Sequence, residues 1–183
     1  CIFIFDVMLE NSYPFRFIMN EYEEEPDEGF SHLMLFKFKS TKSNLTYIVR
    51  VEVYKYHIYA VKFYLKNMQD SKNKYRIATN TYEPRRIINT CINIMLSIYE
   101  KDPEASFGFI GANGLDEGST YCTKRYRFYS RLMATYFSNE KFYHKENKAK
   151  SAYMLINNKV LDRNPDLVRE IETFFAERYD YFD

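Results

Sequence analysis

The predicted fold depends on the stretch SFGFIGA (Ser106–Ala112), which is followed by NGLDEGS (Asn113–Ser119) and YCTKRYRFYSRL (Tyr121–Leu132). The first part is short and apolar, which is typical of a buried strand. The second part is rich in turn residues, and the third is a basic, aromatic helix. Because the first N–H groups of a helix have no partner within it, a strand, glycine-bearing loop and helix start form a common anion-binding geometry. The stretch therefore predicts an anion site without naming its ligand.

Upstream of this stretch, apolar residues tend to recur at every second position, the period of a half-buried strand. The segments with this pattern are Tyr13–Tyr22, Leu33–Lys39, Leu45–Tyr56 and His57–Lys66. They predict an antiparallel meander. After the polar break Asn67–Lys74 the apolar period changes to three and four residues, which indicates a helix that begins near Pro84 and ends before Pro103.

The C-terminal part predicts a hairpin and a last helix. Phe142–His144 and Ala152–Ile156 are strand-like, and Asn164 with Pro165 begins a helix that extends to about Tyr179. The whole chain, residues 1–183, is thus predicted to be a single α+β domain. Its mainly antiparallel sheet consists of the meander followed by a helix, strand, helix and hairpin, with helices packed on it and a C-terminal helix.

The composition excludes several classes of protein. Hydrophobic residues make up 46% of the 183 residues, which excludes disorder of the whole chain. The net charge is only +1, so the overall field gives no help in binding nucleic acid, although a local basic patch can still do so. No apolar run approaches the roughly 20 residues that span a bilayer.

The cysteines predict a reducing compartment. Cys1, Cys91 and Cys122 are far apart and match neither a disulfide framework nor a metal-ligand pair. Cys91 and Cys122 fall in predicted helices, where we expect small buried side chains. The expected localisation is therefore the cytoplasm.

Two features bear on metal binding. The acidic run Glu21–Gly29 is interpreted as a solvated loop, with a divalent-metal site as the alternative. His32, His57 and His144 have no carboxylate or cysteine at ligand spacing, which favours packed or surface histidines. We expect no metal.

The basic helix supplies the candidate binding residues. Lys124, Arg127 and Arg131 share one helix face because they lie at i, i+3 and i+7. One interpretation is a solvated basic face. The other is an anion or partner site, to which Arg125 and the loop that begins at Asn113 also belong.

Two further cations, Arg85 and Arg86, lie at the start of the preceding predicted helix and can join this site. Positive charge there opposes the helix dipole, which suggests that they serve a partner or pair with the acidic run.

Tyrosines are frequent along the meander, on what we expect to be its exposed side. They are Tyr47, Tyr54, Tyr56, Tyr59 and Tyr64. Aromatic strands with interleaved cations can stack nucleic-acid bases or bind proteins. The alternative is that tyrosine is simply a favoured strand residue.

The element order from Leu33 to Asn157 resembles the core of the GNAT acetyltransferase fold, and Arg125–Leu132 is similar to the helix that carries a tyrosine general acid in some members. The resemblance implies Tyr129 as that acid and acyl-CoA as the ligand. GNAT enzymes hold the pyrophosphate with a Gln/Arg-x-x-Gly-x-Gly/Ala loop, whereas Arg76–Pro84 contains no glycine. The close approach of backbone to phosphate that glycine permits is therefore missing.

The second half of the chain also resembles a group of small uncharacterised bacterial proteins, classed only as domains of unknown function. The matching residues are the strand Ala105–Gly111 and Arg125, Arg127, Phe128 and Tyr129. This resemblance implies kinship of fold and no activity.

The sequence contains no complete catalytic constellation, and no serine lies in a nucleophile-elbow context. The expected function is a non-enzymatic cytoplasmic module that binds a protein or nucleic-acid partner, without a cofactor. The alternative is a diverged GNAT-like acyltransferase in which the strand Phe107–Gly111 separates from its neighbour and Tyr129 faces the gap.

Overall fold

The fold was analysed in a computed structural model that describes residues 9–22, 30–76, 81–111, 118–119 and 121–178. Seven strands and four helices lie in this part of the chain. In chain order they are β1 (Phe15–Glu21), β2 (His32–Lys39), β3 (Thr46–Tyr54), β4 (Ile58–Leu65), α1 (Pro84–Lys101), β5 (Ser106–Ile110), α2 (Lys124–Tyr136), β6 (Phe142–Asn147), β7 (Ala152–Asn157), α3 (Asn158–Arg163) and α4 (Leu167–Arg178).

The strands form one open sheet in the order β1-β2-β3-β4-β5-β7-β6. Every neighbouring pair is antiparallel except β4 and β5, which are parallel. A parallel pair needs a crossover connection, and helix α1 provides it. The predicted α+β class, with a mainly antiparallel sheet and a C-terminal helix, is confirmed.

The parallel pair is short, and this determines where the candidate site lies. Ile58–Ala60 pair with Ser106–Gly108, and no further residues of the two strands are paired. Strand β4 continues to Leu65 against β3, while β5 continues to Ile110 against β7. The sheet therefore opens between β4 and β5 beyond Ala60 and Gly108.

Helices cover both faces of the sheet. On one face Ile92 and Ile94 of α1 and Tyr126 of α2 are buried against Val51 and Phe107 of the strands. The apolar residues of α1 recur at three- and four-residue steps, so the helix turns a continuous stripe toward the sheet.

Helix α4 covers the other face, where Leu167, Ile171 and Phe174 pack on Tyr54 and Ile156. No helix in the described residues is long and apolar enough to cross a membrane.

Three local predictions were wrong. Tyr47 and Tyr54 are 0% and 4% exposed and lie in the two cores, so they form no base-stacking surface. Cys122 precedes α2 in a turn with φ 45° instead of lying in the helix. The last helix was predicted to begin at Asn164 and Pro165, but it begins at Leu167. Asn164 lies instead in the turn that joins α4 to α3, a helix that was not predicted, and its side chain accepts a hydrogen bond from the Asp166 N–H there.

Candidate functional site

The opening between β4 and β5 forms a cleft of about 530 Å³, which we call the β4–β5 cleft. Its walls are Val61–Leu65 of β4, Phe109 and Ile110 of β5, and residues from the first turns of α1 and α2. The cleft therefore lies between β4 and β5, at the end where these two strands are no longer paired.

Aromatic rings line the inner wall. The Tyr129 ring meets Phe109 edge-on, with ring centroids 5.5 Å apart, and lies 6.4 Å from the Phe63 ring. Phe128 lies 6.2 Å from Tyr129 along the same helix. Such rings give an elongated apolar group a large contact area.

Helix α2 is held against the end of β5 by its first residues. The Thr123 hydroxyl donates to the Gly111 carbonyl at 2.5 Å and accepts from the Tyr126 N–H at 3.1 Å. A Cβ at Gly111 would lie 2.5 Å from the Tyr126 nitrogen, so only glycine permits this approach. Ser151 fixes Thr123 further by accepting its N–H at 2.9 Å.

Tyr129 contributes a phenol hydroxyl to this part of the cleft lining. Burial raises the pKa of this hydroxyl well above its ordinary value, against a smaller opposing effect of the Arg125 charge. A tyrosine with a raised pKa stays protonated at neutral pH and can donate a proton or a hydrogen bond.

The rim of the cleft is cationic. Among the described residues that line it, Lys62, Lys74, Lys124 and Arg125 are basic and none is acidic. Arg125 donates to the carbonyls of Tyr75 and Arg76, the second at 3.0 Å, and the Lys74 ammonium lies 4.7 Å from the centre of the Tyr64 ring. The arrangement suits a ligand with an apolar stem and a negative charge.

Glu83 fixes the segment that leads into α1. Its carboxylate is buried and accepts hydrogen bonds from the hydroxyls of Tyr13 and Ser40, the latter at 2.8 Å. Burial pushes the pKa of the Glu83 carboxyl up, but hydrogen bonds, those from the Tyr13 and Ser40 hydroxyls among them, outweigh it and hold the pKa below its ordinary value.

A negative charge thus directly precedes α1, so this helix start is a poor anion site. The positive charge that would attract an anionic ligand must therefore come from the basic residues on the rim of the cleft.

Of the sequence-predicted site residues that the structure describes, three meet at the cleft, namely Lys124, Arg125 and Tyr129. Arg127 and Arg131 are exposed on α2 and do not line it. Asn113 and the acidic residues 23–28 lie outside the described residues.

Neither Arg85 nor Arg86, at the start of α1, lines the cleft. Arg85 is exposed, with Nη2 at 3.4 Å from the Tyr136 hydroxyl. Arg86 stacks over the Tyr13 ring at 4.0 Å and donates to the Ser12 carbonyl. Arg86 therefore contacts the N-terminal segment.

Sequence reasoning missed Lys62, Phe63 and Lys74 as site residues, although all three line the cleft and no motif marks them. Tyr47 and Tyr64, which the sequence placed on an exposed side of the meander, also line it. A further sequence signal for this place was the expectation that the strand Phe107–Gly111 separates from its neighbour.

A second, smaller cavity of about 90 Å³ lies on the α4 face and shares Val61, Phe109 and Ile110 with the cleft. It is lined by Glu52, a buried carboxylate that pairs with Lys62 at 2.7 Å and accepts from the Tyr54 hydroxyl at 2.8 Å. The two cavities thus adjoin the same opening in the sheet. The described His, Cys, Asp and Glu side chains form no group of three or more that could hold a metal.

Comparisons with protein-family models, with curated proteins and with solved structures found no match to this chain.

Proposed function

We propose that the protein is a GNAT-like acyltransferase that binds an acyl-CoA in the β4–β5 cleft. The observation that carries the proposal is the parallel pair that ends at Ala60 and Gly108 and leaves a cleft with Tyr129 on its wall. The succession of meander, helix, strand, helix and hairpin supports it, because the GNAT resemblance has the same order.

The backbone of β4 beyond Ala60 suits an amide-containing stem. In the described part of the chain this edge has no strand partner, so its N–H and C=O groups can pair with an extended ligand as they would with another strand. A phosphopantetheine stem has both the extended shape and the amides.

The negatively charged end of the ligand cannot be bound here by a glycine loop of the kind that GNAT enzymes use. Residues 76–84 contain no glycine, and Glu83 places a carboxylate at the start of α1. Lys74, Lys124 and Arg125 on the rim supply the positive charge instead.

The chemistry assigned to the site is transfer of an acyl group to an amine. The amine nitrogen bonds to the thioester carbonyl carbon, and the carbon–sulfur bond breaks. The leaving thiolate takes the Tyr129 proton, the amine releases its proton to water, and Tyr129 regains a proton from water. The cavity beside Glu52 gives the amine a separate approach to the same opening, because Val61, Phe109 and Ile110 line both spaces.

The test is an acyl-transfer assay with acetyl-CoA and a panel of primary amines. We expect the wild type to release CoA and Tyr129→Phe to lower kcat about 100-fold, because a general acid contributes 10²–10⁴-fold, while KM for acetyl-CoA stays within about threefold. Tyr121→Phe is the matched control, because Tyr121 is 64% exposed and does not line the cleft. No turnover with any amine, or equal kcat for Tyr129→Phe and wild type, contradicts the proposal.

A second candidate is a non-enzymatic module that binds a protein partner. It is favoured by β1, an edge strand in the described sheet on which Phe17, Ile18 and Met19 are 47%, 41% and 46% exposed. Unpaired backbone and exposed apolar side chains on an edge strand favour strand addition. This candidate requires no turnover and no ligand in the cleft, so the same assay distinguishes it from the first.

A further inference from the structure

Strand β1 is an open edge of the sheet in the part of the chain that the structure describes. It lies at one end of the strand order, and six of its seven residues are exposed. Three neighbouring exposed side chains in its middle are apolar, namely Phe17, Ile18 and Met19. Unpaired backbone beside exposed apolar side chains can pair with another strand, and native proteins prevent this with charges, prolines or a covering element.

The opposite edge of the sheet, β6, has such protection. Its middle carries Lys145 and Glu146, and Lys145 forms an ion pair with Glu172 of α4 at 3.0 Å. Tyr143 is the only large apolar side chain of β6 that is exposed. The two edges therefore differ, and β1 is the one whose middle is open to pairing with a further strand.

A register shift in the middle of β1 brings the two charged residues of this strand to one face of the sheet. Arg16 lies opposite Lys37 of β2, and Glu21 lies opposite Leu33. Lys37 and Leu33 are four residues apart, so they share a face, and residues directly opposite each other in an antiparallel pair share it too. Without the shift, positions 16 and 21 would lie on opposite faces, because they are an odd number of residues apart.

Two copies of β1 related by a twofold axis are therefore complementary in charge. When they pair antiparallel with Arg16 of one copy opposite Glu21 of the other, the same pair occurs a second time across the axis. The faces match along the rest of the strand, because Phe17 then lies opposite Asn20 and both belong to the other face of the sheet. Opposite charges directly across two strands stabilise their pairing.

We propose that the protein forms a twofold dimer in which the β1 strands of two copies pair antiparallel and join two seven-stranded sheets into one. Backbone hydrogen bonds between the two strands supply the affinity. The two pairs of Arg16 with Glu21 determine the register and favour a second copy over other strands. This inference does not depend on the proposed function, because β2 and β3 separate β1 from the strands that form the β4–β5 cleft.

The experiment measures the dissociation constant of the dimer by sedimentation velocity over a dilution series at low salt. For wild type we expect a reversible equilibrium between monomer and dimer. Arg16→Glu and Glu21→Arg each place like charges opposite one another at two positions, so each should raise the dissociation constant about 10-fold. The double variant restores two attractive pairs with reversed sign, and its dissociation constant should return to within about threefold of wild type.

Two further variants complete the series. Glu140→Arg is the matched control, because it makes the same change of charge at an exposed position outside β1 and should dimerise as wild type does. Ile18→Lys introduces a charge into the middle of the open edge and should raise the dissociation constant at least about 10-fold. Residues 16, 18 and 21 are exposed, so we expect all variants to keep the circular dichroism spectrum of wild type.

Each outcome supports or overturns the dimer. A wild type that stays monomeric at every concentration overturns it, and in that case β1 is left to the foreign strand of the second candidate function. A dimer that is insensitive to both single charge reversals, or a double variant as weak as the single ones, overturns the pairing of β1 with itself in this register. None of these results bears on acyl transfer, and a failed acyl-transfer assay leaves the dimer unaffected.

Discussion

Replacing Gly111 by alanine is expected to lower the free energy of unfolding by about 3 kcal/mol, the upper part of the usual range for overpacking. The new Cβ would lie 2.5 Å from the Tyr126 nitrogen and 2.7 Å from its Cα. These are backbone atoms at the start of α2, so the clash is relieved only if the helix moves away from β5. Urea denaturation followed by circular dichroism measures the loss.

The chain provides two control glycines for this experiment. A Cβ at Gly108 has its nearest neighbour, the Tyr153 carbonyl oxygen, at 4.0 Å, and a Cβ at Gly118 meets nothing within 4 Å. Both alanine variants should unfold within about 0.5 kcal/mol of wild type. Equal stability of Gly111→Ala and Gly108→Ala would contradict the close packing of β5 on α2.

Replacing Glu83 by alanine is expected to cost about 3 kcal/mol, because it leaves the buried hydroxyls of Tyr13 and Ser40 without their charged acceptor. The N-terminal segment, the end of β2 and the entry to α1 lose their common partner. Glu140→Ala, at an exposed position, is the control and should be nearly neutral. Thermal and urea unfolding at neutral pH measure both variants.

The pH dependence of stability gives an independent check on Glu83. Its pKa is lower in the folded protein than the ordinary value of 4.5. The stabilisation is therefore present above pH 4.5 and is lost as the pH falls through the folded-state pKa. The difference in stability between wild type and Glu83→Ala should shrink as the solution is acidified, and a constant difference would refute the account.

Local periodicity explains why most of the fold could be predicted. Strand β3 lies within the segment Leu45 to Tyr56, where apolar residues alternate. Helix α1 lies where apolar residues recur at three- and four-residue steps after Pro84. Periodicity identifies two faces of a strand but not what covers them. Tyr47 and Tyr54 were therefore placed on an exposed side, whereas helices pack on both sides of the sheet.

The candidate site was less predictable because it depends on tertiary structure. The basic helix could be recognised from its sequence, and Lys124, Arg125 and Tyr129 of that helix do line the cleft. Lys62 and Lys74 line it only because β4 and β5 stop pairing after three residue pairs. Where two strands far apart in the chain stop pairing is a tertiary property, which no local pattern encodes.

The most direct test of the central claim is amide hydrogen exchange with and without saturating acetyl-CoA. The account predicts slower exchange at Val61–Leu65 and in the first turn of α2, because the ligand would pair with the free edge of β4 and contact Lys124 and Arg125. Strand β1 should exchange at the same rate in both samples. Unchanged exchange along β4, or protection confined to β1, would contradict an acyl-CoA site between β4 and β5.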